Sequence, residues 1–339
     1  MVIMRYKIYL ALLVISLTGC MPMIYPPGVD NNLARLSKSF FFTEDGAALP
    51  LRHWQPKSDP YAIIIALHGF NDYSSFFELP GEYFSNSGIA CFAYDQRGFG
   101  GTTKRGLWAG DTAYSNDLLT LIKLLSNRFP NKPVYLIGES MGGAIIINTM
   151  SKSNAPTVAG VVLAAPALWA KSTMPWYQTS LLWSMAHSMP WLTLTGKGVK
   201  VTPSDNIKML RALGKDPLVI KSTRIETLYG LSNLMDEAFN NAALIHGKTL
   251  MLYGEKDDII PKEPTHVFLQ TFLETGINEK TVAFYQNGYH MLLRDLQAET
   301  VWTDIAAWIK NNSTHLPSGA DIRAKQALAK NMYQTTNAN

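Results

Sequence analysis

The sequence predicts an α/β protein, a doubly wound and mostly parallel sheet interrupted by a helical cap insertion. Three observations carry that prediction. Continuous apolar runs at 61–67, 89–94, 134–137, 158–164, 249–253 and 281–285 read as strands buried on both faces. Helix-like stretches alternate with them, at 118–125, 143–150, 262–274 and 298–311. A serine between glycines, Gly138-Glu139-Ser140-Met141-Gly142, joins one such strand to one such helix. That is the pattern of a nucleophile elbow, where a tight turn lifts the hydroxyl clear of the sheet edge.

Taken in order, the chain opens with Arg5 and Lys7 ahead of an apolar stretch, Ile8 to Leu17. Ten helical residues cover about 15 Å, half of a roughly 30 Å bilayer core, so residues 1–19 read as a signal peptide rather than a span. Leu17-Thr18-Gly19-Cys20 resembles the lipobox of bacterial lipoproteins. The resemblance implies cleavage before Cys20, acylation of that cysteine and attachment to a membrane. Met21, where Asp is absent, implies sorting to the outer membrane, facing the periplasm. An ordinary secretory signal with a chance cysteine is the alternative. Residues 20–37 read as a tether. Ser39–Thr43 and Leu49–Trp54 read as two strands around a turn at Glu44-Asp45-Gly46.

Residues 38–165 and 247–316 form the two parts of the sheet domain, and 317–339 reads as a flexible, frayed tail. Between them, 166–246 breaks the rhythm. It holds Trp169, Trp176, Trp183 and Trp191, with Met174, Met185 and Met189, and no clear strand. Such an insertion serves as an apolar lid or as a helical subdomain around its own core, and most of these side chains are expected in that core.

Composition narrows the function. Hydrophobic residues make up 47% of 339 and charged residues 17%, a globular rather than a disordered profile. The formal charge of +4 is not gathered into a basic run, which argues against nucleic acid as a partner. Cys20 and Cys91 are the two cysteines. With Cys20 acylated no intramolecular disulfide forms, and Cys91 in a strand-like run reads as a core thiol.

A serine hydroxyl needs a base within reach and a group that orients the base. In a serine hydrolase built on this kind of sheet the chain order is serine, acid, histidine. The acid belongs just after a strand. Asp257 lies three residues past Gly254 and is favoured over Asp258. The histidine belongs after the next strand. His290 fits, whereas His315 lies in the polar tail segment and His246 and His266 break the order. Oxyanion donors are expected at the Met141 amide, beside the nucleophile, and at Phe70, after the strand that ends in Ala66-Leu67-His68-Gly69. His68 competes as a base, but it precedes the elbow and reads as a residue that shapes the loop.

Together His68-Gly69-Phe70, Tyr94 to Gly100, Gly138 to Gly143, Gly254 to Asp257 and Gly288-Tyr289-His290 resemble the α/β-hydrolase superfamily. The branch is the monoacylglycerol lipase-like one, also called lysophospholipase-like or serine aminopeptidase-like. The resemblance covers roughly 38–312. It implies Ser140 as nucleophile, Asp257 as acid, His290 as base, Phe70 and Met141 as oxyanion donors, and no metal or organic cofactor. Where that branch has Gly-Glu-His after the oxyanion residue, this chain has Asn71-Asp72-Tyr73. Asp95 and Arg97 are expected to form a buried ion pair. The activity implied is hydrolysis of lipid-like carboxylic esters, of the monoacylglycerol or lysophospholipid class, through an acyl-enzyme. An acyltransferase with the same residues and a non-catalytic envelope protein are the alternatives. A serine at the elbow, in place of aspartate, disfavours dehalogenation.

Overall fold

The apolar runs become the centre of the sheet in a computed structural model of the protein, which describes residues 21–29, 31–196, 198, 200–274, 279–310 and 315–336. The strands are β1 (Arg35–Leu36), β2 (Phe40–Phe42), β3 (Ala48–Trp54), β4 (Ala62–Leu67), β5 (Ile89–Tyr94), β6 (Val134–Glu139), β7 (Gly160–Ala164), β8 (Thr193–Thr195), β9 (Ser222–Arg224), β10 (Thr249–Gly254) and β11 (Lys280–Tyr285). One sheet runs β1-β2-β3-β5-β4-β6-β7-β10-β11. Its first strands pair antiparallel, and from β5 to β11 every neighbouring pair is parallel.

Every residue of β4, β5, β6, β7 and β10 is buried. A strand covered on both faces has no reason to alternate, which is why these segments read as unbroken apolar runs. Side chains that alternate along β4 enter two cores, Ile63 and Ile65 on one face and Ile64 and Ala66 on the other. Burying such an aliphatic side chain contributes about 1.5–3 kcal/mol. The chain leaves β4 for β5 on one side and returns through β6 on the other. The carboxyl ends of β4 and β6 therefore form the kind of switch point at which open α/β sheets hold ligands.

The stretch between β7 and β10 departs from expectation twice. It contains the helices Trp176–Ser188, Ile207–Lys215 and Ile225–Asn241, but also β8 and β9, paired antiparallel. Three of its tryptophans are not core: Trp176 is 78% exposed, Trp183 54% and Trp191 55%. In Trp176–Ser188 only Ala186 is buried. Apolar side chains are spread around this helix instead of along one stripe, so a single neighbour leaves most of them uncovered.

Both flanking segments are also more structured than their composition suggests. Residues 23–28 lie against the body instead of forming a free tether. Tyr25 N–H donates to Trp108 O at 2.8 Å, Met23 N–H to Glu226 Oε2 at 3.0 Å and Gly28 N–H to Asp45 Oδ2 at 3.0 Å. At the other end, Ala320–Thr336 is a helix. Among its described side chains Ala320 and Ala324 are buried and Ala327 and Leu328 partly buried, and small side chains let it approach the core closely. Signal, lipobox and Cys20 lie outside the described residues. Among these, no helix is long and apolar enough to cross a membrane.

Arg97 is buried, but its partners are not Asp95. Its guanidinium contacts Asp45 at 2.6 Å and Asp117 at 2.7 Å. Arg97 holds the Asp45 carboxyl far below the usual carboxylate range. Asp95 instead accepts from the Ser74 and Gly101 amides, at 2.9 and 2.8 Å. The loops after β4 and β5 are tied to each other in this way.

Candidate active site

Ser140 sits between β6 and the helix Met141–Met150 with φ 53° and ψ −116°. A non-glycine residue rarely adopts such a backbone, which costs of the order of 1–3 kcal/mol and is kept only where its surroundings enforce it. The surroundings are visible. Ser140 N–H donates to Ala164 O at 3.0 Å, and Ser140 O accepts from Ala167 at 3.0 Å. A Cβ on Gly138 would lie 2.5 Å from the Gly142 carbonyl carbon, and one on Gly142 would lie 2.3 Å from Leu67 O. The glycines of the motif are therefore steric requirements of the turn.

The loop after β4 comes to the same point. A Cβ on Gly69 would stand 3.3 Å from Ser140 Cβ, so the Gly69–Phe70 backbone runs directly beside the serine. Met141 opens its helix, and the amides of a first helical turn have no partner within the helix. His68 fixes this loop from within. It is fully buried. Its Nε2 accepts from Gln96 N–H at 2.9 Å, and its Nδ1–H donates to Gly69 O at 2.8 Å. Amide and carbonyl dictate that neutral tautomer, and burial lowers the pKa. With both ring nitrogens engaged, His68 has no lone pair to offer as a base.

Asp257 and His290 come from successive strand ends. A Cβ on Gly254 would lie 2.5 Å from the Gly288 carbonyl carbon, so both loops depend on glycine to approach. Asp257 is buried, and its Oδ1 accepts from Ile259 N–H at 2.7 Å and Ile260 N–H at 3.1 Å. Oδ2 is left for His290 Nδ1, at 2.8 Å. A carboxylate only accepts, so Nδ1 carries the proton and Nε2 keeps a lone pair. Asp258 is exposed. His315 pairs with Asp321 at 2.8 Å and is exposed, beside the C-terminal helix.

The insertion is bonded to these loops. Ile220 N–H donates to Asn71 O at 3.0 Å, beside Phe70. Met291 N–H donates to Pro203 O at 2.9 Å, and Ser204 Oγ to Asp295 Oδ1 at 2.6 Å. A buried charge cluster that sequence reasoning missed lies behind the site. Arg294 Nη2 donates to Glu139 Oε1 at 2.7 Å and makes an ion contact with Asp72 Oδ2 at 2.7 Å. Burial opposes the charge on Arg294, but Asp72 and Glu139 outweigh it and hold its pKa above the ordinary arginine value. Among the described residues no group of three or more His, Cys, Asp or Glu is arranged to hold a metal.

Fold and site geometry together define an α/β-hydrolase. The family profile described as serine aminopeptidase, S33, matches residues 58–297, and the chain belongs to that family. It is 24% identical to a monoacylglycerol lipase of Mycolicibacterium smegmatis, over 76% of this chain and 90% of that protein. It is 25% identical to the monoglyceride lipase of Homo sapiens, over 79% and 89%. Among solved structures, a soluble variant of monoglyceride lipase from Saccharomyces cerevisiae superimposes with a TM-score of 0.69 at 20% identity, covering 85% of this chain and 99% of that one. The Paleococcus ferrophilus monoacylglycerol lipase gives 0.64 at 22%, covering 78% and 99%.

Proposed function

We propose that the protein is a serine esterase that cleaves lipid-like carboxylic esters, of the monoacylglycerol or lysophospholipid class, through an acyl-enzyme. One observation carries the reading. A serine in a positive-φ turn lies beside the Gly69–Phe70 backbone at the ends of β4 and β6, and a buried His290–Asp257 pair at 2.8 Å follows β10 and β11 of the same sheet. In this mechanism His290 Nε2 takes the Ser140 proton as Oγ bonds to the ester carbonyl carbon. Asp257 holds the ring and supports the imidazolium. The Phe70 and Met141 amides stabilise the oxyanion, each contributing several kcal/mol. Collapse expels the alcohol, which takes the proton from His290. Water then adds to the acyl-enzyme with His290 again as base, and the acid leaves. No step draws on a metal or an organic cofactor.

The lipid preference draws on the names of the relatives and on the exposed aromatics of the insertion, which we assign as a cap. Cys20 is proposed to carry lipid and to hold the protein at the outer membrane, facing the periplasm. A fluorophosphonate probe tests the chemistry: wild type is expected to label and Ser140→Ala not to, and equal labelling of both overturns the proposal. A panel of monoacylglycerols and lysophospholipids then ranks substrates, and added alcohol separates hydrolysis from acyl transfer. For the anchor, Cys20→Ser is expected to leave the membrane fraction. Unchanged mass and unchanged fractionation refute the lipid.

A further inference from the structure

Each of the three loops at the site carries one member of the buried charge cluster, at a short offset from a residue of the proposed chemistry. Glu139 immediately precedes Ser140, Asp72 follows Phe70 by two residues, and Arg294 follows His290 by four. All three side chains are buried, at 3%, 8% and 8% exposure. One nitrogen, Arg294 Nη2, bridges both carboxylates. The Glu139 carboxylate lies under the oxyanion loop as well, 3.9 Å from where a Gly69 Cβ would be. Stability alone does not call for such a cluster, since apolar residues of similar volume commonly serve a core as well or better. The charge count is also uneven: two carboxylates share one guanidinium.

We infer that Arg294 is a positioning residue. Through Glu139 and Asp72 it sets the spacing of the segments that carry Ser140, Phe70 and His290. The inference rests on the proposed roles of those three residues. The guanidinium matters because its planar geometry fixes the direction of the one nitrogen that meets both carboxylates, which an ammonium on a flexible stem does not. Burial and the Asp72 charge raise the pKa of Glu139, while Arg294 and His290 oppose that rise.

The test compares full-length wild type, Glu139→Gln and Arg294→Lys on a soluble p-nitrophenyl ester, with fluorophosphonate labelling rate and Tm measured alongside. Glu139→Gln keeps an acceptor for Arg294 and removes only the charge. It is expected to lower kcat about tenfold with KM nearly unchanged, the usual scale for a group that supports a reacting residue. Arg294→Lys is expected to lower kcat and labelling rate by about 10–100-fold with KM nearly unchanged. A folded Glu139→Gln with wild-type kcat overturns the role given to Glu139. A folded Arg294→Lys with wild-type kcat and labelling overturns the positioning part. If either variant does not fold, the other decides. Wild type that fails to label overturns the reading of Ser140 instead, so the two failures are distinct.

Discussion

Trp108 and Trp308 are buried against the sheet, at 3% and 9% exposure, while Trp176, Trp183 and Trp191 of the insertion are more than half exposed. Polar residues divide the other way. At the sheet edge His68, Asp257, Glu139 and Arg294 are buried and paired, whereas the helix Ile207–Lys215 has no buried residue at all. The sheet edge places its polar groups where water is excluded and fixes each by named partners. The insertion leaves three tryptophans facing outward. On the proposed reading the edge holds reacting atoms in place, and those tryptophans meet something apolar.

Breaking the edge should cost most. Ser140→Ala is expected to lower kcat on any ester by about 10⁴–10⁶-fold. Ser140→Gly should be equally inactive yet about 1 kcal/mol more stable in urea titration, because glycine relieves the positive-φ strain. Next in size, Asp257→Asn is expected to lower kcat about 10⁴-fold by disturbing the His290 tautomer. Asp258→Asn, one residue on and exposed, should leave the rate unchanged. Arg97→Met strands two buried carboxylates and is expected to cost about 3–5 kcal/mol of stability, read as a lowered Tm.

The insertion should behave otherwise. Replacing Trp176, Trp183 and Trp191 together by serine is expected to shift Tm by no more than about 2 °C, since exposed side chains contribute little to folding. Hydrolysis of emulsified substrate should fall several-fold and hydrolysis of a soluble ester should not. Equal losses on both substrates break the contrast drawn above. The smallest expected effect is on pH. Burial raises Asp111 and Asp295 to about 6, with Glu237 adding repulsion at Asp111. Each holds its proton more tightly folded than unfolded. Its contribution to stability is therefore full below the ordinary carboxylate range and lost as pH rises through 6. Tm is expected to rise as pH falls from about 7.5 to about 5.5.

Much of the edge was legible in the sequence because local chemistry writes it there. Strands covered on both faces are unbroken apolar runs, and Gly138 and Gly142 mark a turn that nothing larger fits. Asp257 and His290 follow their strands at the spacing the topology requires. What stayed hidden depends on pairs far apart in the chain. Arg97 meets Asp45 across 52 residues, and Arg294 meets Glu139 across 155. Nothing near Arg97 in sequence favours those partners over Asp95. Exposure of the cap aromatics was equally invisible, since tryptophan composition does not say which face finds a neighbour. The C-terminal helix was missed because its buried residues are alanines, which carry little hydropathic signal.

The docked segment at residues 23–28 bears on how far the enzyme reaches. Met23 is held at Glu226, and the neighbouring Glu226 and Ile225 amides donate to Pro190 O and Leu192 O, on either side of Trp191. If Cys20 carries lipid as proposed, three residue steps separate the anchor from that fixed point, about 10 Å of fully extended chain. The molecule then hangs on a short leash, unable to roam a wide volume beneath the bilayer. On that proposal Trp191, tied through its neighbours to the same fixed point, stays within a short reach of the anchor.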